Sequence, residues 1–483
     1  MVKRQSALFF FSKLLTAIIS FFLVVLRSRE FSAEELSDYY IVVKSINIII
    51  ALFVTWIPES CARFYQEIQD KKSFYSTYAF LLFFSSLLAL GAIVVFAFIP
   101  GFTSISLFFP YVAMLIVTQA LNDAISAPFR MAGKPGLYAL SLVLSSVLNL
   151  VVFLLIPAAF GMGSIFIGMG VAYVLTAIIG FFVLRIYRYL SFRSFDKKLF
   201  CQSLRYALPL VVVWCSIWLF TSSDTFIISQ FCPKEQISYY NLAEGVVTQS
   251  IGTITTAFSF AVFPAMIDQW GSSKKDELGK TVGAFLTFLL KYLIPAVFGL
   301  MCISFFVYGP ILDDSYNPNY EGSILICIFA LAQFFDVVFQ TYAKIWNLEK
   351  RTITSAVVSM SSAVFNFFFS LLAVWLAKSY LWAAGITLLV IFLRMVVTRI
   401  MFGKRLRIVI DWKMVFCSVL SSGVMALCIL PFLYYLGPHI WAIAVAVLLG
   451  VSVFSVSMMV LGQMRKEVSL LERIFKKQTH HEN

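Results

Sequence analysis

The polar stretch Phe31-Ser-Ala-Glu-Glu-Leu-Ser-Asp-Tyr-Tyr40 separates two apolar runs, residues 7–26 and 41–57. In a helix, about 20 mostly apolar residues at 1.5 Å per residue cross a hydrocarbon core about 30 Å thick. The first run reaches that length. Arg27 and Arg29 follow it, where a signal peptide would carry small residues for cleavage. We therefore interpret residues 7–26 as a retained first transmembrane helix.

Apolar runs of similar length continue along the rest of the chain. Of the 483 residues, 61% are hydrophobic and 13% are charged, whereas a soluble domain carries about 25% charged residues. This composition predicts an all-α membrane protein. The runs indicate about fourteen transmembrane helices, at approximately residues 7–26, 41–57, 77–99, 107–125, 137–157, 164–184, 207–228, 245–267, 282–307, 323–343, 354–376, 380–401, 413–436 and 440–462.

Basic residues alternate between the two sets of loops that this helix count creates. The loops and tails on one side hold 28 of the 37 lysines and arginines, and those on the other side hold four, Arg27, Arg29, Lys234 and Lys378. Because basic loops remain on the cytoplasmic side of a membrane, we expect both termini to be cytoplasmic. The net charge of +13 is then explained by orientation in the bilayer, without nucleic acid as a partner.

The opening stretch recurs in the second half of the chain. Residues 31–40 align without gaps to Phe231-Cys-Pro-Lys-Glu-Gln-Ile-Ser-Tyr-Tyr240, with four identical positions. This alignment predicts a parallel duplication: two pseudo-symmetric six-helix lobes related by an axis along the membrane normal, as in transporters. The predicted divisions are an N-terminal lobe at 1–190, a C-terminal lobe at 191–403, two extra helices at 404–462 and a cytoplasmic tail at 463–483.

Ionisable residues within the predicted helices are candidate functional residues, because a charge in hydrocarbon is costly unless it is paired or hydrated. Structural alternatives accompany several of them. Lys13 and Arg399 lie near helix ends and could snorkel, and Asp224 could be a helix-end hydrogen-bonding group. The alternative ion pairs are Asp123 with Arg130, Lys291 with Asp336, and Lys44 with Glu244.

Signatures of enzymes and metal sites are missing from the sequence. The eight cysteines are scattered without a CxxC pair, and the three histidines lie near membrane ends or in the tail. The sequence contains no GxSxG, P-loop or HExxH motif. We therefore expect no catalytic residues, no metal, no cofactor and no use of ATP by this chain alone.

Several short motifs follow one another in order. They are Lys13, Arg29-Glu-Phe31, Tyr39 and Arg63 near the start, Leu204-Arg-Tyr-Ala-Leu-Pro-Leu210, Trp218, Asp224-Thr-Phe-Ile-Ile228, Glu235, Tyr239-Tyr240 and Phe263-Pro264 around the seventh and eighth helices, Pro318-Asn-Tyr320 before the tenth, and Asn149 and Asn366 in the fifth and eleventh. In order and spacing they resemble the polysaccharide transporter family of the multidrug/oligosaccharidyl-lipid/polysaccharide exporter superfamily. Trp56-Ile-Pro-Glu59, where the family is usually glycine-rich, and Thr225, where it often has arginine, depart from that pattern.

The resemblance implies a flippase of the bacterial inner membrane. Its substrate would be an undecaprenyl-diphosphate-linked oligosaccharide, such as an O-antigen repeat unit, and its surroundings membrane lipid and other polysaccharide assembly proteins. A diphosphate that crosses hydrocarbon needs cations. The candidates for this diphosphate path are Lys13, Lys44, Lys291 and Arg394. The candidates for ion coupling or charge balance are Asp123, Asp224, Glu244 and Asp336.

Three other functions compete with this interpretation. A drug or cation exporter of the same superfamily would have mainly acidic residues in its cavity. The sequence distinguishes a lipid II flippase only poorly from a flippase of O-antigen repeat units. An O-antigen polymerase typically has a large outer loop, and the longest here, about 229–244, is short.

Overall fold

The computed structural model describes residues 2–65, 67–98, 103–131, 135–156, 160–191, 194–252, 255, 275–348, 351–403 and 408–463. These residues are almost entirely α-helical, and an isolated bridge between Tyr308 and Leu312 is their sole β feature. The predicted all-α membrane fold is confirmed. The helices are α1 (Val2–Glu30), α2 (Ala33–Phe53), α3 (Trp56–Phe64), α4 (Lys71–Phe96), α5 (Thr103–Leu107), α6 (Phe109–Met131), α7 (Pro135–Leu155), α8 (Gly163–Val183), α9 (Lys197–Phe231), α10 (Glu235–Val247), α11 (Lys275–Ser304), α12 (Glu321–Leu348), α13 (Thr352–Ala377), α14 (Tyr380–Gly403), α15 (Trp412–Leu436) and α16 (Ile440–Val460).

Twelve helical segments of the described chain are long and apolar enough to cross a membrane. They cover all the predicted spans except the fourth and the eighth. Helix α6 occupies the fourth position, and Gln119, Asn122 and Asp123 lower its apolar character. The eighth predicted span, 245–267, begins in α10 and the π-helical turn Thr248–Gly252, and most of its remainder lies outside the described residues.

Polar residues between the spans start the helices. At α2 the Ser32 hydroxyl accepts a hydrogen bond from the Glu35 N–H (3.3 Å), and the Glu35 carboxylate accepts one from the Ser32 N–H (3.0 Å). This capping box satisfies backbone donors that a helix start leaves without partners. At α9 the Asp196 carboxylate accepts hydrogen bonds from the Lys198 and Leu199 N–H groups. The polar stretch at 31–40 is therefore a helix start as well as a loop.

Packing divides the chain into two units. The first unit comprises Met1–Asn241 with Ala356–Ala383, and the second comprises Leu242–Ser355 with Ala384–Asn483. A buried cluster in the first unit joins α3, α4 and α9 and includes Trp56, Phe74, Tyr78 and Leu199. The lobes predicted at 1–190 and 191–403 were defined by the sequence repeat and not by packing. This division stays a prediction.

The two extra C-terminal helices pack within the second unit. Cys302 of α11, Met425 and Ile429 of α15, and Ala446 of α16 share one buried cluster. At Gly450 of α16 an added Cβ would lie 2.7 Å from the Ile429 side chain, so the close approach of the two helices requires glycine there. Of the tail predicted at 463–483, only Gln463 lies within the described residues.

Candidate functional site

Each packing unit holds four of the eight candidate residues. Lys13, Lys44, Asp123 and Asp224 belong to the first unit. Glu244, Lys291, Asp336 and Arg394 belong to the second. All eight lie on helices, and the packing between helices decides their partners.

Asp224 is a nearly buried carboxylate on α9, with 4% of its surface exposed. The Tyr240 hydroxyl donates to its Oδ2 (2.6 Å), and the Asn366 amide nitrogen donates to its Oδ1 (3.4 Å). Both donors are neutral, and Asn366 is fully buried. An ionised carboxylate out of water costs several kcal/mol unless its charge is compensated. Asp224 is thus a buried carboxylate that accepts hydrogen bonds from two other helices, α10 and α13.

Oxygen-bearing side chains continue this polar region. Thr225 donates to the Asn241 amide oxygen (3.0 Å). The hydroxyl groups of Ser223 and Ser370 are buried and have no hydrogen-bond partner among the described residues. Ser370 lies one helical turn after Asn366, on the same face of α13. Carboxylate, amide and hydroxyl oxygens are the ligands that hard cations prefer.

Lys44 joins α2 to α9 through two bonds. Its ammonium donates to the Thr221 carbonyl oxygen (2.8 Å), and the Trp218 indole N–H donates to the Lys44 carbonyl oxygen (2.8 Å). The Lys44 side chain is half-buried.

The remaining two candidates of the first unit are half-buried, Lys13 on α1 and Asp123 on α6. Beside Asp123, the Asn122 amide oxygen accepts a hydrogen bond from Thr176 (2.8 Å), which ties α6 to α8. The Arg130 side chain, the alternative partner of Asp123, lies outside the described side chains.

In the second unit, Arg394 of α14 and Asp336 of α12 form an ion pair. The Arg394 side chain is 7% exposed, and its guanidinium lies 4.1 Å from the centre of the Phe339 ring. The sequence had suggested Lys291 as the structural partner of Asp336, and the structure gives this role to Arg394. An α12–α14 pair satisfies both charges at a depth where either alone would be costly.

Lys291 of α11 is fully buried. Its carbonyl oxygen accepts a hydrogen bond from the Ser418 hydroxyl of α15 (2.9 Å), and its ammonium lies 5.5 Å from the centre of the Tyr292 ring. Helix α15 thus contacts α11 at the position of this lysine. Glu244 is half-buried near the end of α10, one turn before the π-helical turn at 248–252.

The two segments aligned by sequence, 31–40 and 231–240, contact each other in the first unit. The Ser37 hydroxyl donates to the Lys234 carbonyl oxygen (2.6 Å) and accepts from the Ser238 N–H (3.1 Å). The Lys234 ammonium pairs with Asp38 (2.9 Å) and Glu34 (3.5 Å). Burial lowers the pKa of Lys234, but the two carboxylates outweigh it, so this pKa lies above its ordinary value. Sequence reasoning did not select these residues as a site.

Comparison with known protein families matches a model described as polysaccharide biosynthesis protein to residues 2–270, more than half of the chain. The chain belongs to this polysaccharide biosynthesis family. A second model, MatE, matches residues 209–372. Both place the chain in the multidrug/oligosaccharidyl-lipid/polysaccharide exporter superfamily that the sequence resembled. No curated protein matches the chain.

Solved structures share the fold of this family member. The lipid II flippase MurJ in an inward closed conformation has a TM-score of 0.75 at 15% identity, over 94% of this chain and 98% of that one. An inward-facing multidrug resistance MATE transporter has a TM-score of 0.63 at 13% identity, over 82% and 94%. A superfamily transporter from Pyrococcus furiosus has a TM-score of 0.56 at 14% identity, over 84% and 96%. The chain is thus a multi-pass membrane protein with a transporter fold.

Sequence reasoning found the charges of the candidate site but missed their partners. Tyr240 lies in the repeated stretch 231–240 and Asn366 is one of the motif residues, but neither was selected as a site residue, although both donate to Asp224. Tyr240 lies on the next helix and Asn366 lies 142 positions further along the chain. The residues next to Asp224 in the sequence therefore do not indicate these hydrogen bonds.

Proposed function

We propose that this protein flips an undecaprenyl-diphosphate-linked oligosaccharide, such as an O-antigen repeat unit, from the cytoplasmic to the periplasmic leaflet of the bacterial inner membrane. Membership of the polysaccharide biosynthesis family carries this proposal. Its transporter fold supports flipping by a change between inward- and outward-open states, without covalent chemistry. The proposed orientation places both termini in the cytoplasm.

Four cations within the spans would stabilise the diphosphate in transit: Lys13, Lys44, Lys291 and Arg394. A diphosphate carries several acceptor oxygens, and charge-assisted hydrogen bonds to them are stronger than neutral ones. Arg394 is already paired with Asp336. The substrate would therefore compete with the Asp336 carboxylate for the Arg394 guanidinium. Between transport cycles the carboxylate would pair with the arginine again, so the arginine would not be left without a partner.

Four acids would balance these cations or couple transport to an ion: Asp123, Asp224, Glu244 and Asp336. Asp224 is the strongest coupling candidate, since it is a buried carboxylate that accepts from the Tyr240 hydroxyl and the Asn366 amide, and among the described residues of the same unit the buried hydroxyl groups of Ser223 and Ser370 have no hydrogen-bond partner. We propose that a proton or a sodium ion neutralises Asp224 in one state of the transport cycle and leaves it in the other.

Lipid II is a second candidate substrate, because the MurJ structure covers nearly the whole chain. It presents the same diphosphate to the protein, and the sugar differs. A drug exporter is less favoured, because the spans hold basic residues in addition to acids, Lys44, Lys291 and Arg394 among them.

Complementation separates these substrates. The chain is expressed in one strain that lacks its O-antigen flippase and in another whose lipid II flippase can be depleted, with membrane abundance measured in both. Restored surface O-antigen in the first strain supports the proposal. Rescue of the second strain alone would assign lipid II instead. Rescue of neither by an abundant protein, together with acquired resistance to cationic dyes, would support drug export and contradict both flippase assignments.

A further inference from the structure

The segment 185–206 follows α8 and includes the first ten residues of α9, and its described part is held in place against α4. The Ser191 N–H donates to the Ser76 hydroxyl (2.9 Å), and the Asp196 N–H donates to the Thr77 hydroxyl (3.0 Å). Ser76 and Thr77 are both buried. Further along, the hydroxyl groups of Tyr78 and Ser203 share a hydrogen bond (3.0 Å). The described part of this segment is thus an ordered surface rather than a loose linker.

Aromatic side chains flank the same segment. Tyr189 stacks on Tyr75 of α4 with 5.6 Å between ring centres. Phe195 packs between Phe80 (5.0 Å) and Phe200 (5.7 Å). Tyr189 and Phe195 nevertheless stay 36% and 40% exposed. Partly exposed aromatic rings at the end of a membrane span are typical of the level of the lipid headgroups.

Five exposed cations lie on this surface: Arg185, Arg188, Lys197, Lys198 and Arg205. None of the five forms an ion pair with another described residue. By contrast, Arg63 in the last turn of α3 pairs with Glu67, and Lys71 at the start of α4 donates to two backbone carbonyls. Positive-inside orientation accounts for the sign of the charge but not for five unpaired cations on one anchored segment.

The acid of the segment does not neutralise these cations. Asp196 is the sole acidic residue between positions 185 and 206, and its carboxylate caps α9 by accepting from the Lys198 and Leu199 N–H groups. Lysines in the first turn of a helix are also unfavourable next to the positive end of the helix dipole. Lys197 and Lys198 therefore do not serve the stability of α9, and an external anion is the partner that suits them.

We propose that the described parts of this segment, residues 185–191 and 194–206, form a docking site for the headgroups of anionic phospholipids in the adjoining leaflet. The cations would contact headgroup phosphates while Tyr187, Tyr189 and Phe195 lie among the headgroups and upper acyl chains. A basic cluster directly beside a membrane span recognises anionic lipid in this way. The site is independent of the substrate that the protein flips.

The test measures lipid binding by the purified full chain. The probes are a phosphatidylglycerol and a phosphatidylcholine with the same fluorescent acyl chain. The test variant carries Arg185→Gln, Arg188→Gln, Lys197→Gln and Lys198→Gln. The matched control carries Lys404→Gln, Arg405→Gln, Arg407→Gln and Lys413→Gln, an equal change of net charge in another predicted inner loop.

We expect wild type to prefer phosphatidylglycerol and the test variant to lose this preference by at least about tenfold, since each basic contact near a membrane surface contributes about fivefold. The control should keep it, and so should the charge-preserving variant Arg185→Lys with Arg188→Lys. Equal binding of both lipids by wild type, or an equal loss in test and control variants, would overturn the proposal. Displacement of the probe by inorganic phosphate would overturn it as well, because it would indicate a site for free anions.

Discussion

The Arg394 guanidinium of α14 forms an ion pair with the Asp336 carboxylate of α12. The two residues are 58 positions apart in the sequence, and both helices are long and apolar enough to span a membrane. We expect Asp336→Ala to destabilise the protein by about 3–5 kcal/mol, because it leaves a buried arginine without its partner. Glu67→Ala breaks the exposed Arg63–Glu67 pair and should cost about 0–1 kcal/mol. Thermal unfolding of the purified variants measures both. Equal effects of the two substitutions would contradict the buried-pair interpretation.

Exchanging the same two charges separates stability from transport. In the double variant Asp336→Arg with Arg394→Asp, an ion pair can re-form, so part of the lost stability should return. Transport should remain low, because the cation is displaced to α12. Normal polymer export by this double variant would show that transport requires the ion pair but does not require the cation to lie on α14.

Asp224 should make the protein sensitive to the coupling cation. Asp224→Asn removes the buried negative charge while an amide oxygen can still accept from Tyr240. We expect unchanged or higher thermal stability but no stabilisation by sodium or by low pH. The control Glu67→Gln, which neutralises an exposed acid outside the candidate set, should keep the wild-type response. Retention of that response by Asp224→Asn would assign the coupling ion to another residue.

Neutralising the predicted diphosphate path should slow export. Lys44→Gln, Lys291→Gln and Arg394→Gln each remove a charge-assisted contact of about 1.5–3 kcal/mol, which corresponds to roughly 10- to 100-fold. Trp218→Phe is the control for Lys44, since it removes the indole bond to the Lys44 backbone and leaves the ammonium. Surface polymer is measured together with membrane abundance. Normal polymer from three abundant variants would exclude this path.

The contact between the aligned segments should depend more on Ser37 than on Lys234. Ser37→Ala leaves the Ser238 N–H, which lies in a buried bond, without its acceptor and should cost about 1–3 kcal/mol. Lys234→Gln breaks partly exposed ion pairs and should cost about 0–1 kcal/mol, less at high salt. A larger effect of Lys234→Gln in thermal unfolding would reverse this ranking.

The ion pairs of Lys234 also predict a pH dependence. Because the folded protein raises the pKa of this lysine, its stabilisation is complete at neutral pH and is lost as pH rises above 10.5. The difference in melting temperature between wild type and Lys234→Gln should therefore shrink in that range. A difference that grows with alkaline pH would contradict the assignment.

Orientation in the membrane can be tested with reporter fusions. Reporters placed after Gly271 and after Lys477, two positions outside the described residues, should both indicate the cytoplasm, because the basic loops predict it. A fusion after Lys378 should indicate the periplasm. A periplasmic signal at Gly271 or Lys477 would overturn the topology.

The sequence by itself determined the helical segments of this protein and most of their bounds. Transfer of apolar residues into a bilayer depends on about 20 consecutive positions, so it can be read locally. Helix starts such as Ser32–Glu35 are equally local. The same cost of charge in hydrocarbon identified Asp224, Asp336 and Arg394 as residues that need partners.

Only the tertiary structure decided which partners these residues have. Asp336 pairs with Arg394 rather than with the lysine that the sequence suggested, and Asp224 accepts from Tyr240 and from Asn366. Lys291 lies fully buried where α15 contacts α11. A partner is set by the rotation of each helix about its axis and by its neighbours in the bundle. The rotation and the neighbours of a helix follow from side-chain packing between segments that are distant in the sequence. Hydropathy along the chain does not indicate this packing.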